Sequence, residues 1–356
     1  VVNGGNCLGV RSVTGRLNTL FIPDHKLRFP PGPAAPLAVV SQSGAFAVAR
    51  ASHLTDMNPR HLITVGNQVD LTVGDWLDYL ADDGETRVFA CYVEGFQPLD
   101  GARFLEAAKR ITESGRGVVL YRAGRSEDGV RAAASHTASV AGDWEVTREL
   151  ATSVGVLVAD TIDDFDGLVR TALALADRPP AGPGLGAMSN AGFEAVALAD
   201  RAAPLRLVDF DQRTVERLEA LLRDRRLTGV VDVRNPLDVT PILDDEGFAE
   251  AAEALLEDPA VDVAVVGCVP LTSALETLPA GDHPEDVGSP DSVASHLADL
   301  WRRTTKPWVT AVDGGPAYDA LVARLREAGI PTFRAADRSV ELLARWVQWR
   351  IGGERP

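Results

Sequence analysis

Lysine is nearly absent from this chain of 356 residues, which has only Lys26, Lys109 and Lys306. A phosphate bound here is therefore expected to be held by arginine, by backbone N–H groups or by helix N-termini. The formal net charge of −16 argues against nucleic acid as the main partner, because duplex binding depends on basic side chains that neutralise phosphates.

Cysteine is also scarce, and long apolar runs are missing. Cys7, Cys91 and Cys268 are far apart and form no CxxC pair, and the last two lie in strand-like runs, which indicates buried free thiols. We expect no metal site. No apolar run approaches the ~20 residues needed to cross a membrane, and no signal peptide opens the chain, so we expect a cytoplasmic protein that does not bind membranes.

The pattern of apolar strands alternating with helices is typical of parallel βαβ units, and the length favours two domains. Residues 1–33 have no clear period, and we interpret them as the tail of a domain plus a linker that ends at Pro30–Pro33. The sequence predicts one five-stranded, flavodoxin-like domain at 34–178 and a second at 183–350, separated by a Pro/Gly-rich linker. Its predicted strands are Leu37–Val40, Leu62–Val65, Val88–Val93, Gly117–Tyr121, Val156–Ala159, Leu185–Met188, Leu205–Val208, Val261–Val266, Trp308–Val312 and Pro331–Phe333.

Both predicted domains begin with the same pattern, a strand that ends at serine and is followed by small residues and a helix. A strand stops at Ser41 and a helix begins after Ser43-Gly44, and a strand stops at Ser189 before Asn190-Ala191-Gly192. The first N–H groups of such helices are unsatisfied, and the helix dipole adds partial positive charge there, so each start can bind an anion. Ordinary N-capping is the alternative reading.

Ala132–Gly142 contains His136 between small and hydroxyl-bearing residues. This suits an imidazole that meets a large anionic partner, although a solvated loop histidine would have the same neighbours.

Seven motifs occur in an order that resembles the α part of the NDP-forming acyl-CoA synthetases, in the succinyl-CoA synthetase superfamily. They are Asn3–Gly9, Ser41–Ala45, Gly66–Asp70 with Asp75–Leu80, Tyr92–Phe96, Arg122–Ser126 through Thr137, Ser189–Gly192 and Asn235–Asp238. The fifth of these resembles the phosphohistidine loop of that family. The resemblance implies two consecutive flavodoxin-like parallel-sheet domains preceded by the tail of a CoA-binding Rossmann domain. It also implies acyl-CoA formation from a carboxylic acid, CoA and ATP, reversibly with ADP and phosphate.

The resemblance assigns roles to individual residues. His136 would carry the phosphoryl group and Glu94 would hold its imidazole. Phosphate would bind at Ser41, Ser43, Gly44, Ala45, Ser189, Asn190, Ala191 and Gly192. Substrate and CoA would contact Asn6, Val48, Gly66, Asn67, Gln68, Arg122 and Arg125.

Partners follow from the same resemblance: an ATP-grasp domain or β subunit with Mg2+ in its nucleotide module, and assembly into an oligomer. The sequence departs from the family at Ala138-Ser139, at Phe193, and at Val48, where succinate enzymes carry tyrosine; the last departure suggests a less polar acid. Two alternatives stay open, a non-catalytic acyl-CoA sensor as in regulatory parts of protein acetyltransferases, and an FMN-binding module.

Overall fold

The computed structural model describes residues 1–136 and 143–352, with the backbone alone at 133–136. The chain divides into two compact units, Val1–Ala176 and Asp177–Pro356. Each unit has its own sheet.

The first unit alternates strands and helices. Its strands are β1 (Val10–Ser12), β2 (Leu17–Asn18), β3 (Ala35–Ser41), β4 (Pro59–Thr64), β5 (Val88–Val93), β6 (Gly117–Arg122) and β7 (Leu157–Ala159). Its helices are α1 (Gly44–His53), α2 (Val73–Leu80), α3 (Asp100–Glu113), α4 (Glu127–His136), α5 (Trp144–Ser153) and α6 (Ile162–Ala174).

The first sheet has the order β2-β1-β4-β3-β5-β6-β7, and its last five strands are parallel. Counted along the chain from β3, that is the flavodoxin order 2-1-3-4-5, which confirms the predicted fold class. The strand residues Leu37–Val40 are buried throughout, as expected for a parallel sheet covered on both faces.

Two parts of the first unit differ from the prediction. The aperiodic stretch before Pro30 forms β1 and β2, a short hairpin whose β1 pairs antiparallel with β4. Glu127–His136, predicted as part of a loop, is helical. Its run of alanines favours helix, and Glu127 and Asp128 lie in the first turn, where acidic side chains suit the helix dipole.

The second unit repeats the plan. Its strands are β8 (Gly184–Ser189), β9 (Arg206–Leu207), β10 (Leu237–Asp238), β11 (Val263–Cys268), β12 (Trp308–Val312) and β13 (Thr332–Phe333). Its helices are α7 (Gly192–Asp200), α8 (Gln212–Asp224), α9 (Asp245–Glu257), α10 (Val293–Arg303), α11 (Asp319–Glu327) and α12 (Ala336–Gly352), with a 3-10 turn at Pro316–Tyr318.

The second sheet has the order β10-β8-β11-β12-β13, with β9 also paired to β8. β9 and β10 share the same edge of β8, at Gly184–Leu185 and at Met188–Ser189. Asn235 links this edge, because its Oδ1 accepts from the Ala187 N–H (2.9 Å) and its Nδ2 donates to the carbonyls of Leu185 (2.7 Å) and Val208 (2.9 Å). The strand β10 was not predicted.

Among the described residues, no helix combines the length and apolar character required to cross a membrane. Within the same part of the chain, no group of three or more His, Cys, Asp or Glu side chains is placed to hold a metal ion.

Candidate functional site

The start of α1 lies at the carboxyl end of β3. Ser41 is buried and its Oγ donates to the Ser43 carbonyl (2.6 Å). The Ser43 Oγ caps the helix by accepting from the Phe46 N–H (3.2 Å). Helix geometry leaves the N–H groups of Gly44 and Ala45 without an intrahelical acceptor, so they are available to an anion.

The loop after β5 carries Glu94, and two buried glutamines hold its backbone. The Gln42 Oε1 accepts from the N–H groups of Glu94 (2.7 Å) and Gly95 (3.0 Å). The Gln68 Nε2 donates to the Gly95 carbonyl (3.0 Å), while its Oε1 accepts from the N–H of Val73 (3.0 Å) at the start of α2. The position of Glu94 is therefore set by side chains from the loops after β3 and β4.

The Glu94 side chain lies among groups from β5 and β6. Its Oε1 accepts from the Tyr92 hydroxyl (3.1 Å), and the Tyr92 ring stacks on Phe46 with 4.0 Å between centroids. Burial, followed by the charge of Glu94, raises the pKa of Tyr92, so the phenol keeps its proton. Burial lowers the pKa of Arg122, and the attraction of the Glu94 carboxylate opposes that effect.

The two predicted arginines differ in setting. Arg122 is 3% exposed and interacts electrostatically with Glu94. The Arg125 side chain is 60% exposed, with its Nη1 3.9 Å from the Asp160 carboxylate and its guanidinium 4.8 Å from the centroid of the Trp144 ring. Of these two arginines, Arg122 is the one that interacts with Glu94.

Asn6, Gly66 and Asn67, predicted to contact substrate or CoA, lie together. Gly66 has φ +58°, and a Cβ on it would lie 2.2 Å from the Gly5 carbonyl oxygen and 2.6 Å from that of Asn6. The Asn67 N–H donates to Gly5 O (2.9 Å), and the side chains of Asn67 and Asn6 meet at 3.5 Å. Gly66 thus provides both the turn and the room for the segment before β1.

Two predicted residues of the first unit remain, Val48 and His136. Val48 is half-buried on α1. His136 is the last residue of α4, and its side chain, like all of residues 137–142, lies outside the described residues. The pairing of His136 with Glu94 therefore stays a prediction.

The start of α7 in the second unit is built in a parallel way. Asn190 binds the backbone of Val269 after β11, through Nδ2 to the carbonyl (2.9 Å) and through Oδ1 from the N–H (2.8 Å). The Ala191 N–H donates to the Ser189 Oγ (3.1 Å). Gly192 is exposed, and its N–H, in the first turn, has no intrahelical acceptor.

Sequence reasoning missed three groups at these edges. Gln42 makes the hydrogen bonds that position Glu94, and its place after Ser41 matches the place of Asn190 after Ser189, so the repeated motif already contained the signal. Tyr92 was part of a recognised motif without a role. Glu194, buried in the first turn of α7, gave no signal, since acidic residues are common at helix starts.

The chain is similar in sequence to a known domain family and to two named ligase subunits. Residues 34–172 match the family described as succinyl-CoA ligase like flavodoxin domain. The chain is 36% identical over 275 residues to the α subunit of acetate–CoA ligase [ADP-forming] II of Pyrococcus furiosus, covering 76% of this chain and 56% of that subunit. It is 32% identical to the α subunit of ligase I of the same organism, covering 98% of this chain and 70% of that subunit. The chain belongs to the ADP-forming acetate–CoA ligase α-subunit family.

Solved structures agree on the fold of this family member. The dinucleotide forming acetyl-coenzyme A synthetase 1 of Ca. Korarchaeum cryptofilum, in complex with phosphate and ADP, superposes with a TM-score of 0.82 at 24% identity and covers 99% of this chain. This chain covers 73% of that protein and 56% of the ligase II α subunit, so it represents part of each.

Proposed function

We propose that this chain is the catalytic α part of an ADP-forming acyl-CoA synthetase. It would make acyl-CoA from a carboxylic acid, CoA and ATP, reversibly, through a phosphohistidine at His136 and an acyl phosphate. CoA and ATP are substrates in this scheme, and the nucleotide with its Mg2+ belongs to an ATP-grasp domain or β subunit. The names of the relatives as α subunits support the need for such a partner.

The main support for this proposal is the arrangement of the α1 start and Glu94 at the carboxyl ends of the strands in the first sheet. The available N–H groups of Gly44 and Ala45 follow β3, and Glu94, fixed by Gln42, follows the adjacent strand β5. Between these two strands the order of a 2-1-3-4-5 sheet reverses, which is where open α/β sheets bind ligands. A helix start that could bind an anion and a carboxylate that could orient an imidazole thus follow adjacent strands, which supports the proposal.

The proposed steps transfer one phosphoryl group. A nitrogen of neutral His136 attacks the γ-phosphorus of ATP, so the P–N bond forms as the bond to ADP breaks. The carboxylate oxygen of the acid then takes the phosphoryl group and His136 is released. Finally the CoA thiol, losing its proton, attacks the acyl carbon and phosphate leaves with the electron pair of the C–O bond.

Each residue has a defined task in that sequence. Glu94 would accept a hydrogen bond from the other nitrogen of His136 and so fix its tautomer. The N–H groups of Gly44 and Ala45 would bind the phosphoryl oxygens, a contribution of up to ~2 kcal/mol in buried geometry. Phosphoryl transfer asks mainly for such positioning and charge stabilisation. Val48 in place of tyrosine favours an acid less polar than succinate.

The test is phosphorylation of His136. The chain, assembled with an ATP-grasp partner, is incubated with γ-labelled ATP, and we expect a label that is stable to base and labile to acid. His136→Ala should abolish it, and His25→Ala, in an exposed loop, should not. Equal labelling of His136→Ala would refute the proposal, and acyl-CoA binding without any label or turnover would favour the sensor function.

A further inference from the structure

Glu194 is a carboxyl group buried in the first turn of α7 with no cation paired to it in the described part of the chain. Its side chain is 0% exposed. The Ser189 hydroxyl donates to its Oε2, while its Oε1 has no hydrogen-bond partner among the described residues. Burying a charged carboxylate with a single hydrogen bond is costly, so this position favours the protonated acid.

The groups packed around Glu194 are acidic or neutral. Gly267 on β11 leaves room for it, since a Cβ there would lie 2.5 Å from Oε2. Cys268, the next residue on β11, has a buried thiol. Asp313, which follows β12, has a negative charge that repels the Glu194 carboxylate. Burial first, then Asp313, raise the pKa of Glu194 to about 7, against the opposing hydrogen bond from Ser189.

Among the described residues, the groups that shift the pKa of Glu194 include no cation, although α12, which packs on α7, carries Arg338, Arg345 and Arg350. β8 contains no titratable side chain, and on β10 the Asp238 Oδ2 lies 3.1 Å from where a Cβ of Gly192 would be. On α12, Arg338 pairs with Glu341 (3.3 Å). The charged form of Glu194 therefore adds to an already negative surrounding.

Glu194 is connected to the helix start by two hydrogen bonds. The Ala191 N–H donates to the Ser189 Oγ, and the Ser189 hydroxyl donates to Glu194. The next two N–H groups, of Gly192 and Phe193, have no intrahelical acceptor, and both residues are exposed. An oxyanion on these N–H groups would lie in the same helical turn as the Glu194 carboxyl.

We propose that Glu194 is a positioning residue that controls, through its proton and through Ser189, whether the α7 start accepts a doubly charged oxyanion. The neutral acid admits the anion and the carboxylate repels it. When a dianion binds to the charged form, one proton moves from solvent onto the Glu194 carboxyl. The phosphoryl group as the natural ligand rests on the proposed function, whereas the coupling to a proton does not.

The test uses sulfate, which stays a dianion from pH 6 to pH 8. Sulfate is titrated into the whole chain at constant ionic strength, and the amide NMR shifts of Gly192 and Phe193 report its affinity. Because only the protonated fraction binds, affinity should fall roughly tenfold from pH 6 to pH 8. The titrations use His136→Ala, because an imidazole at either start would change charge in this pH range. The Gly44 and Ala45 amides are then the internal control, since α1 has no acidic residue in its first turn and should lack this dependence.

Glu194→Gln, added to His136→Ala, keeps an acceptor for Ser189 and cannot ionise, so it should bind sulfate at pH 8 as His136→Ala alone does at pH 6. Glu145→Gln, exposed in the first turn of α5, should leave the pH dependence unchanged. A pH-independent response at α7, no response at any pH, or a dependence that survives in Glu194→Gln would overturn the proposal.

The comparison of α7 with α1 in His136→Ala tests the proposal even if Glu194→Gln does not fold. Labelling of His136 is scored separately. If sulfate binding at α7 depends on pH but His136 is not labelled, the proposed function alone is refuted. If His136 is labelled but sulfate binding at α7 does not depend on pH, this inference alone is refuted.

Discussion

Two carboxyl groups near strand ends, Glu94 and Glu194, have opposite surroundings. Glu94 is half-buried, accepts from Tyr92 and is attracted by the Arg122 guanidinium. Glu194 is fully buried beside Asp313. The first setting offers hydrogen-bond acceptors to an imidazole, and the second favours an acid that keeps its proton to near neutral pH.

We predict that Glu94→Gln slows the phosphorylation of His136. The amide can still occupy the loop but no longer stabilises an imidazolium or selects one tautomer of His136. The rate of His136 phosphorylation should fall on the order of 100-fold or more, as expected for the loss of an acid–base partner. Rapid-quench labelling with ATP and the nucleotide partner measures this rate.

Glu113→Gln is the matched control, because Glu113 is exposed at the end of α3 and its ion pair within the described part of the chain is with Lys109 (3.7 Å). It should label at the wild-type rate. A Glu94→Gln variant that also labels at that rate would remove Glu94 from the proposed site.

The elements meet through amide side chains at both sheet edges. Gln42 holds the loop after β5 in the first unit, and Asn190 holds the loop after β11 in the second. Each follows the serine that ends the first parallel strand of its unit. These amides satisfy buried N–H groups that the loops would otherwise leave unpaired.

We therefore predict that Gln42→Leu loosens the loop at Glu94. Two N–H groups lose their acceptor, which should cost about 2–4 kcal/mol of local stability. Hydrogen–deuterium exchange of residues 93–97 should accelerate accordingly. Gln97→Leu, half-buried in the same loop, should change exchange little; similar acceleration in both variants would show that Gln42 has no special part.

Most helices and strands could be predicted because apolar periodicity and capping residues specify them locally. Val88–Val93 and Trp308–Val312 were predicted with the observed bounds, and the Thr72–Asp75 capping box marks the start of α2. The hairpin β1–β2 was missed because β1 is stabilised by pairing with the distant β4. The helix that ends at His136 was missed because the segment was interpreted from its resemblance to a loop of the family and not from the helix propensity of its alanines.

At the scale of the whole molecule, the sequence predicts the two flavodoxin-like sheets but not the burial of Glu194. Strand order follows from alternating elements and right-handed crossovers, which are properties of the chain pattern. The missing side chain of Gly267, which makes room for the carboxyl, comes from a strand 73 positions from Glu194 in the numbering of the chain. No local pattern reports such a contact.

The raised pKa of Glu194 predicts how the stability of the second unit depends on pH. The folded unit holds a proton up to about pH 7 that the unfolded chain releases near the ordinary value of 4.5. Stability from this group is therefore full below pH 4.5 and is lost as the pH rises to 7, by about 3 kcal/mol.

Urea unfolding of the whole chain between pH 5 and pH 8, followed by exchange of β8 and β11, measures this loss. Glu194→Gln should remove the decline in those strands, while β3 and β5 provide the reference within the same molecule. An unchanged decline in the variant would assign it to other groups.

The Asn190 amide also has a consequence for the chemical ageing of the protein. Its two side-chain atoms pair with both backbone groups of Val269. Hydrolysis of that amide to a carboxylate would replace the donor with a second oxygen, which would face the Val269 carbonyl and add a negative charge there. A single deamidation would thus separate the loop after β11 from the start of α7, and aged preparations should lose anion binding there before they lose their fold.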